Sequence, residues 1–296
     1  MRPCSVAVTA LVVGAVELAG CNARVESAPR HAADDLIVFS SNRAGSFRLY
    51  ACHSDGSKSE ALTSGDRDDV GPVWSPSGDR IAFVSGDTLC LLDWTSRKRQ
   101  SLDVTVDPDF SLAWSPAGDR ILCGSGDQLL SVNLNTKATT RIADGCLAGT
   151  WMPDKTSLLV TRGQIPMLQV LGTDGRSSLF LKGAGHLLPQ LQGVWSTAVP
   201  PRCAFSSTDM SSLERGSRSA LKYDVFVSSA DGSEPTQVFS TPGVDSAWGW
   251  SPDGRALLVS SDQEGKADLF IVWVGTDRRL NLTSDAALER GASWRP

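Results

Sequence analysis

Trp74-Ser75-Pro76-Ser77-Gly78, Trp114-Ser115-Pro116-Ala117-Gly118 and Trp250-Ser251-Pro252-Asp253-Gly254 are three copies of one motif, and they decide the fold. Weaker copies begin at Trp151, which keeps the Pro two residues later, at Trp195 and at Trp294. The six tryptophans are separated by 40, 37, 44, 55 and 44 residues. Periods near 40 to 50 residues indicate one supersecondary unit per repeat, as in the blades of a propeller.

Each motif predicts a tight turn between two strands. Pro fixes φ at the second position of a type I turn, and the Gly adopts the left-handed conformation that follows. Such a turn joins antiparallel strands into a hairpin. Apolar segments follow the motif, as at 81–84 and 257–259, and further strand and turn segments follow these, as at 269–274 and 279–282. Each repeat is therefore predicted to be a four-stranded antiparallel meander.

The two ends of the repeat region complete each other. Residues 36–39 form the kind of segment that should follow a motif turn, but no motif precedes them, whereas Trp294 lacks a following strand. We therefore expect an all-β, six-bladed propeller over residues 36–296 in which N- and C-terminal strands share one blade. Joining the ends protects sheet edges that would otherwise be open to pairing.

The motif and its period resemble those of the six-bladed propeller of TolB-type, WD-repeat-like proteins, over about residues 36–296. The resemblance implies the fold and a role in binding, since TolB proteins use this propeller to bind a partner lipoprotein. TolB proteins also carry an N-terminal α/β domain that is not seen in this sequence, and they are not usually lipidated. We therefore expect this chain to share the fold and the binding mode of TolB proteins, and we do not predict that it binds the same partner.

The N-terminal residues predict export. Arg2 precedes a mostly apolar segment at 6–16, and Leu18-Ala19-Gly20-Cys21 looks like a bacterial lipobox. We expect residues 1–20 to be a lipoprotein signal peptide, Cys21 to be acylated (a palmitate-type anchor) and residues 21–35 to be a tether. The alternative is an ordinary secretory peptide with an incidental Cys. The predicted location is the membrane of the bacterial cell envelope, facing the periplasm or in the outer membrane if the host is Gram-negative.

Composition narrows the function classes. The net charge of −5 argues against a nucleic-acid partner, which needs basic patches. Five cysteines follow Cys21, an odd number, and they are interpreted as small buried hydrophobes rather than as a disulfide framework; no C-x-x-C spacing suggests a metal cluster. These five are Cys52, Cys90, Cys123, Cys146 and Cys203.

The sequence favours binding over catalysis. There are three His, no G-x-S-x-G elbow and no H-E-x-x-H motif. We therefore predict a non-catalytic, monomeric interaction module for an envelope protein or extracellular ligand, with no cofactor. The alternative is a propeller enzyme of the lyase or hydrolase type with a site at the mouth of the central channel.

An acidic residue stands five positions before the repeat Trp in four units, at Asp69, Asp109, Asp245 and Glu289. Cys146 and Gln190 take this place in the other two. The position should lie on the loops that join blades and converge on one mouth of the channel. The four acids could form a recognition rim for a basic segment or a cation, or they could accept hydrogen bonds that hold their own loops.

Two other features bear on binding. Residues 206–222 form a Ser-rich insertion on the same predicted face, with Arg215 and Arg218 as candidate binding residues; the alternative is a loop without a role. The repeat tryptophans are interpreted as packing between blades, and Trp248 is considered for stacking on a ligand.

Overall fold

The computed structural model describes residues 35–210 and 222–296. The predicted signal peptide, Cys21, Arg215 and Arg218 lie outside the described residues. Regular structure within those two ranges is entirely β, so they contain no apolar helix that could cross a membrane.

The strands of the described residues form six four-stranded antiparallel sheets, arranged as the blades of a propeller. The chain begins in blade 6 with β1 (Leu36–Ala44), β2 (Ser46–His53) and β3 (Glu60–Ala61). Blade 1 contains β4 (Asp69–Trp74), β5 (Arg80–Ser85), β6 (Thr88–Asp93) and β7 (Arg99–Thr105). Blade 2 contains β8 (Ala113–Trp114), β9 (Arg120–Ser125), β10 (Gln128–Asn133) and β11 (Thr139–Asp144).

Blade 3 contains β12 (Cys146–Trp151), β13 (Leu158–Arg162), β14 (Met167–Leu171) and β15 (Ser177–Leu179). Blade 4 contains β16 (Leu187–Trp195), β17 (Arg202–Asp209), β18 (Asp224–Ser229) and β19 (Thr236–Phe239). Blade 5 contains β20 (Asp245–Trp250), β21 (Ala256–Ser261), β22 (Asp268–Trp273) and β23 (Arg279–Asn281), and β24 (Glu289–Trp294) returns to blade 6. In every blade the strand that ends at the repeat Trp is the first of the sheet.

The predicted closure of the ring is confirmed. Strand β24 pairs antiparallel with β1, so that Trp294 lies opposite Ile37 and Glu289 opposite Ser41. Blade 6 therefore consists of one strand from the C-terminal end of the repeat region and three from its beginning.

The predicted motif turn is also confirmed. Gly78, Gly118 and Gly254 adopt φ values of 67°, 70° and 66°, the left-handed region that only Gly enters without strain. In the first copy the Ser75 hydroxyl accepts the backbone N–H of Arg80 at 3.0 Å. The turn is thereby pinned to the first residue of the next strand.

The repeat tryptophans pack between blades, as predicted from the sequence. Trp114 and Trp250 are 8% and 7% exposed. Their indole N–H groups donate to the backbone carbonyls of Val73 and Val194 in the preceding blades, at 3.0 and 3.1 Å. These Trp residues thus join adjacent blades through both apolar contact and a hydrogen bond.

An arginine from one blade covers the repeat Trp of the next in three of the seams between described blades. We call this arrangement the arginine clasp: the guanidinium stacks on the indole and donates to the carbonyl of the Gly in the same turn. Arg202 lies 4.8 Å from the Trp250 ring centroid and donates to the Gly254 carbonyl at 2.6 Å. Arg80 stacks on Trp114 and donates to the Gly118 carbonyl. Arg295 stacks on Trp74 and donates to the Gly78 carbonyl.

The other three seams of the described ring lack the clasp, for reasons visible in the sequence. Between blades 2 and 3, Arg120 lies beside Asp119 at 3.8 Å, and Lys155 occupies the turn position at which blades 1, 2 and 5 have Gly. Blades 3 and 5 carry Ser157 and Ala256 at the position of Arg80 and Arg202, which is the residue before the strand partner of the repeat Trp.

The five described cysteines are all free and buried. Burial raises the pKa of the Cys52 thiol to about 11 and that of Cys123 to about 12. The pKa of Cys203, which is fully buried, is raised for the same reason. These thiols pack as small apolar side chains in the blade cores.

Candidate functional site

The meander topology gives the propeller two faces. We call the "loop face" the side formed by the connections between blades and by the hairpins between second and third strands. The "turn face" carries the motif turns and the connections between third and fourth strands. The predicted acidic positions belong to the loop face, and the described chain enters β1 from the turn face, where Arg295 N–H donates to the Leu36 carbonyl at 2.8 Å.

Asp245 is buried in its own loop. Its carboxylate accepts the Thr241 backbone N–H at 2.8 Å and the Thr241 hydroxyl at 2.7 Å, and none of the residue is exposed. Burial raises the pKa of this carboxyl. The contacts are those of a side chain that stabilises the connection between blades 4 and 5.

Glu289 is buried in the shared blade. Its carboxylate accepts the Ser41 hydroxyl at 2.9 Å and forms an ion pair with Arg43 at 3.2 Å. Burial is the largest influence on this carboxyl and raises its pKa above 4.5, although Ser41 and Arg43 act in the opposite direction.

The same position is buried in three further blades. Asp69 is 1% exposed and lies 3.4 Å from the Arg99 guanidinium. Gln190 accepts the Leu168 N–H at 3.1 Å and donates to the Leu187 carbonyl at 2.9 Å. Cys146 is also buried. The described hydrogen bonds therefore favour the loop-holding interpretation for Asp245 and Glu289, whereas Asp69 has an ion pair with Arg99; a role for the three in recognition stays a prediction.

Asp109 differs from the other three acids because its side chain is 80% exposed. The neighbouring Phe110 takes the buried place instead, and its ring lies so close to Gly124 that a Cβ there would approach it to 1.9 Å. The Asp109 carboxylate pairs with Arg290 of β24 at 2.5 Å. This ion pair links the blade 2 loop to the inner strand of blade 6, past blade 1.

Blades 1 and 2 surround Asp109 with further carboxylates on the loop face, which are exposed except for the half-buried Asp107. Backbone hydrogen bonds of 2.8 Å hold these loops together, from Gly86 N–H to the Asp68 carbonyl and from Asp107 N–H to the Gly124 carbonyl. We define the acidic sector by its six members, Asp66, Asp68, Asp87, Asp107, Asp109 and Asp127. Arg67 lies on the same loops and Arg290 pairs with Asp109, so six carboxylates face two guanidinium groups and the sector is net negative.

Blades 3 to 6 place exposed apolar side chains on the same face. Leu147 is 51% exposed and Ile165 58%, and the connections and hairpins further round the ring add others. We define the apolar sector by Leu147, Ile165, Met210, Val244 and Leu288. Exposed apolar groups gathered on one face are typical of interaction surfaces.

A cavity of about 410 Å³ lies among the first strands of the blades, along the axis of the ring. Its described walls contain Trp, Pro, Gly, Thr, Ser and Gln residues and no ionisable side chain. Trp248, which the sequence singled out, lines it, and so does Gln192, which the sequence analysis did not identify. Gln192 is distinguished by its backbone conformation, a φ of 41°, which the amino-acid sequence does not reveal.

Residues 35–210 and 222–296 contain no group of three or more His, Cys, Asp or Glu side chains arranged to hold a metal ion. The predicted acids are distributed over separate blades, each with its own partners.

Comparison with solved structures identifies the fold. TolB from Acinetobacter baumannii matches with a TM-score of 0.75 and 18% sequence identity, over 90% of this chain and 68% of that chain. A chain of the nidogen/laminin complex matches with a TM-score of 0.65 and 8% identity, over 88% of this chain and 98% of the other. Oligogalacturonate lyase from Vibrio parahaemolyticus matches with a TM-score of 0.54 and 13% identity, over 82% and 73%.

At these identities the likeness is one of fold, and the fold is that of the TolB-type six-bladed propeller. No protein-family model matches the chain, and no curated protein matches it either.

Proposed function

We propose that this propeller is a binding module of the bacterial cell envelope that docks a protein partner on its loop face. The observation that carries the proposal is that the loop face combines the acidic sector of blades 1 and 2 with the exposed apolar side chains of blades 3 to 6, among which Asp262, Glu264, Lys266 and Asp285 also lie. Side-by-side apolar and charged areas suit a protein surface, because apolar contact supplies affinity while charge complementarity orients the partner and speeds association.

The chemistry of the sectors defines the partner. It should present Lys or Arg side chains toward blades 1 and 2 and an apolar patch toward blades 3 to 6. The exposed Asp109 belongs to this surface, whereas Asp69, Asp245 and Glu289 support its loops from below. Arg215 and Arg218 lie outside the described residues and remain candidate contacts from the sequence.

The chain path fits attachment of the module to a membrane through Cys21. Asp35 lies on the turn face, where its carbonyl accepts the Ser54 N–H at 2.9 Å. Thirteen residues lie between Cys21 and Asp35, and the fourteen Cα–Cα steps from one to the other span at most about 50 Å when extended. A lipid on Cys21 would attach the module through its turn face, so the loop face would stay available to a partner.

The proposal is one of binding rather than catalysis. The alternative, a lyase- or hydrolase-type propeller, has the fold likeness to oligogalacturonate lyase in its favour. That likeness carries no residue roles, and the described cavity wall offers no ionisable side chain to act as an acid or base.

The test compares capture of envelope proteins by matched variants of residues 31–296, the compact unit of the chain. The first variant replaces Asp66, Asp87 and Asp127 with Asn, and the second replaces Leu147 and Ile165 with Ser. The control is Val199→Ser, because Val199 is an apolar residue 96% exposed on the turn face.

We expect one bound protein to be lost from both loop-face variants and retained by the Val199→Ser control. Its binding to the unmodified propeller should weaken with salt, since exposed charges are screened beyond about 8 Å at physiological ionic strength. Equal capture by all variants, at unchanged thermal stability, would contradict docking on the loop face.

A further inference from the structure

Gln192 is a strained residue on the wall of the central cavity. Its φ of 41° lies in the left-handed region, which non-glycine residues rarely adopt. The equivalent position, three residues before the repeat Trp, is Gly71 in blade 1 and Gly291 in blade 6, with φ values of 62° and 67°. Blade 4 therefore holds an amide side chain where glycine would be relaxed, and such strain is typical of functional positions.

A neighbouring blade fixes the strained backbone. The Gln192 N–H donates to the Thr161 hydroxyl at 3.2 Å, and Thr161 in blade 3 is 1% exposed. The Gln192 side-chain amide makes no hydrogen bond to any described residue, although the residue lines the cavity. The amide is thus positioned by its backbone and left available to a ligand.

Trp248 supplies an aromatic wall in the next blade. It stands two residues before the repeat Trp, where the other blades have smaller side chains: Pro72, Leu112, Gly149, Gly193 and Ala292. Its indole N–H donates to the Ser260 hydroxyl at 2.8 Å, which fixes the ring where it lines the cavity. An immobilised indole is well suited to stack against a flat apolar surface.

The rest of the wall is mostly apolar, with Val, Leu, Ala, Pro and further Trp side chains, and it contains a few uncharged polar groups and no ionisable side chain. The hydroxyls of Ser111 and Thr150 line the cavity and have no hydrogen-bond partner among the described residues. The first strand of each sheet is paired on one side only, so its other edge faces the axis with backbone N–H and C=O groups. The cavity therefore combines aromatic and aliphatic surface, to which Trp248 and the repeat tryptophans contribute, with a few neutral side-chain and backbone donors and acceptors.

We propose that the central cavity binds an uncharged sugar ring. A pyranose presents an apolar C–H face that can stack on Trp248, and hydroxyl groups that can bond to the Gln192 amide and the hydroxyls around it. A charged ligand would lose its hydration without gaining an ionic partner on this wall. A volume of about 410 Å³ lies within the range of small-molecule sites and is too small for a folded partner. The inference rests on the cavity alone and is independent of docking on the loop face.

The test measures binding of N-acetylglucosamine and of glucose to the full chain by saturation-transfer NMR and calorimetry. Glucuronate serves as the charged counterpart, and a neutral Gly-Pro peptide represents an extended chain in the same cavity. We expect saturable binding of at least one neutral sugar with a dissociation constant on the order of 1 mM. Glucuronate and the peptide should bind at least about tenfold more weakly.

Two variants localise the binding. Gln192→Gly introduces the residue that blades 1 and 6 have at this position, so thermal stability should be unchanged or higher while sugar affinity falls at least about tenfold. Trp248→Ala should lose the stacking surface and binding with it. The proposal is overturned if neither sugar binds at concentrations well above 1 mM, or if the peptide or glucuronate binds more tightly than the neutral sugars. It is also overturned if Gln192→Gly binds sugar with the same affinity as the parent chain.

Discussion

The hydroxyl of Ser41 donates a 2.9 Å hydrogen bond to the carboxylate of Glu289, a residue 248 positions further along the chain. Both residues are buried where β1 and β24 pair, and Arg43 adds an ion pair to the same carboxylate. Blade 6 thus closes the ring through main-chain pairing and a polar contact that joins the two ends of the described fold.

Deletion of residues 291–296 is expected to open the ring. It removes most of β24 and the buried Trp294, whose loss alone should cost about 3–5 kcal/mol, against a typical total stability of 5–15 kcal/mol. We expect aggregation or a large fall in Tm by circular dichroism and size-exclusion chromatography. A variant lacking only the terminal Pro296 is the control, and an unchanged Tm for the longer deletion would refute the shared blade.

The arginine clasp predicts different effects for two arginines at the same repeat position. Arg202→Ala removes the stacking on Trp250 and the hydrogen bond to Gly254, and should lower the free energy of unfolding by about 1–2 kcal/mol. Arg120→Ala removes a half-exposed side chain outside any clasp and should change it by less than about 0.5 kcal/mol. Denaturant titration measures both, and equal losses would show that stacking on Trp250 contributes nothing.

Glu289 predicts a pH dependence of stability. A carboxyl whose pKa is raised by folding binds its proton more tightly in the folded state, so its contribution to stability falls as pH rises from 4.5 through the raised value. Gln keeps hydrogen-bonding capacity without titrating. The Tm of Glu289→Gln relative to the parent chain should therefore increase between pH 4.5 and 7.5.

Asp231 supplies the opposite control. The Ser233 hydroxyl and backbone N–H bond to its exposed carboxylate and lower its pKa below 3.8, so the stabilisation they give is lost as pH falls through that lowered value. The stability deficit of Asp231→Asn should accordingly shrink in acid and stay level between pH 4.5 and 7.5. If the Tm of Glu289→Gln relative to the parent chain also stays level between pH 4.5 and 7.5, Glu289 is solvated in the folded protein.

The buried cysteines predict slow thiol chemistry. Burial raises the pKa of Cys52 to about 11, so both access and thiolate formation are suppressed in the folded state. In a chain of residues 31–296, Ellman's reagent should label the five thiols slowly under native conditions and all of them in denaturant. Rapid native labelling would show that the blades open more readily than their packing indicates.

The predicted lipid anchor is tested by Cys21→Ser. Stable membrane association through acylation depends on this side chain, because more than one acyl chain is needed for firm anchoring. The variant should move from the membrane fraction to the soluble fraction. Sedimentation of the variant with membranes at high salt would contradict the lipobox.

The fold could be predicted from the sequence because its defining signals are local. A Ser-Pro-x-Gly turn needs a left-handed Gly, and Gly78, Gly118 and Gly254 all adopt it. Leu36 begins a strand that no motif precedes, and Trp294 ends a motif strand that has no following partner. These two local features were enough to predict that β1 pairs with β24.

The site was harder to predict because exposure is a tertiary property. Asp109 and Asp245 share one offset from the repeat Trp, yet one is 80% exposed and the other fully buried, since Phe110 fills the blade 2 core. Likewise Arg120 and Arg202 have equivalent positions, but only Arg202 faces a turn with a Gly carbonyl to accept its hydrogen bond. Repeat position identifies equivalent residues and does not fix their surroundings.

The distribution of clasps has a mechanical consequence for the ring. Blade 3 is the one described blade without a clasp on either side, and its seams contain the half-buried Trp151 and Trp195. Elastic deformation of a closed ring concentrates at its weakest joints, so amide hydrogens of β12 to β15 should exchange with solvent faster than those of the clasped blades. Faster exchange in blade 3, despite the hydrogen bonds that join it to Gln190 and Gln192 of blade 4, would identify it as the segment through which the axial opening changes width.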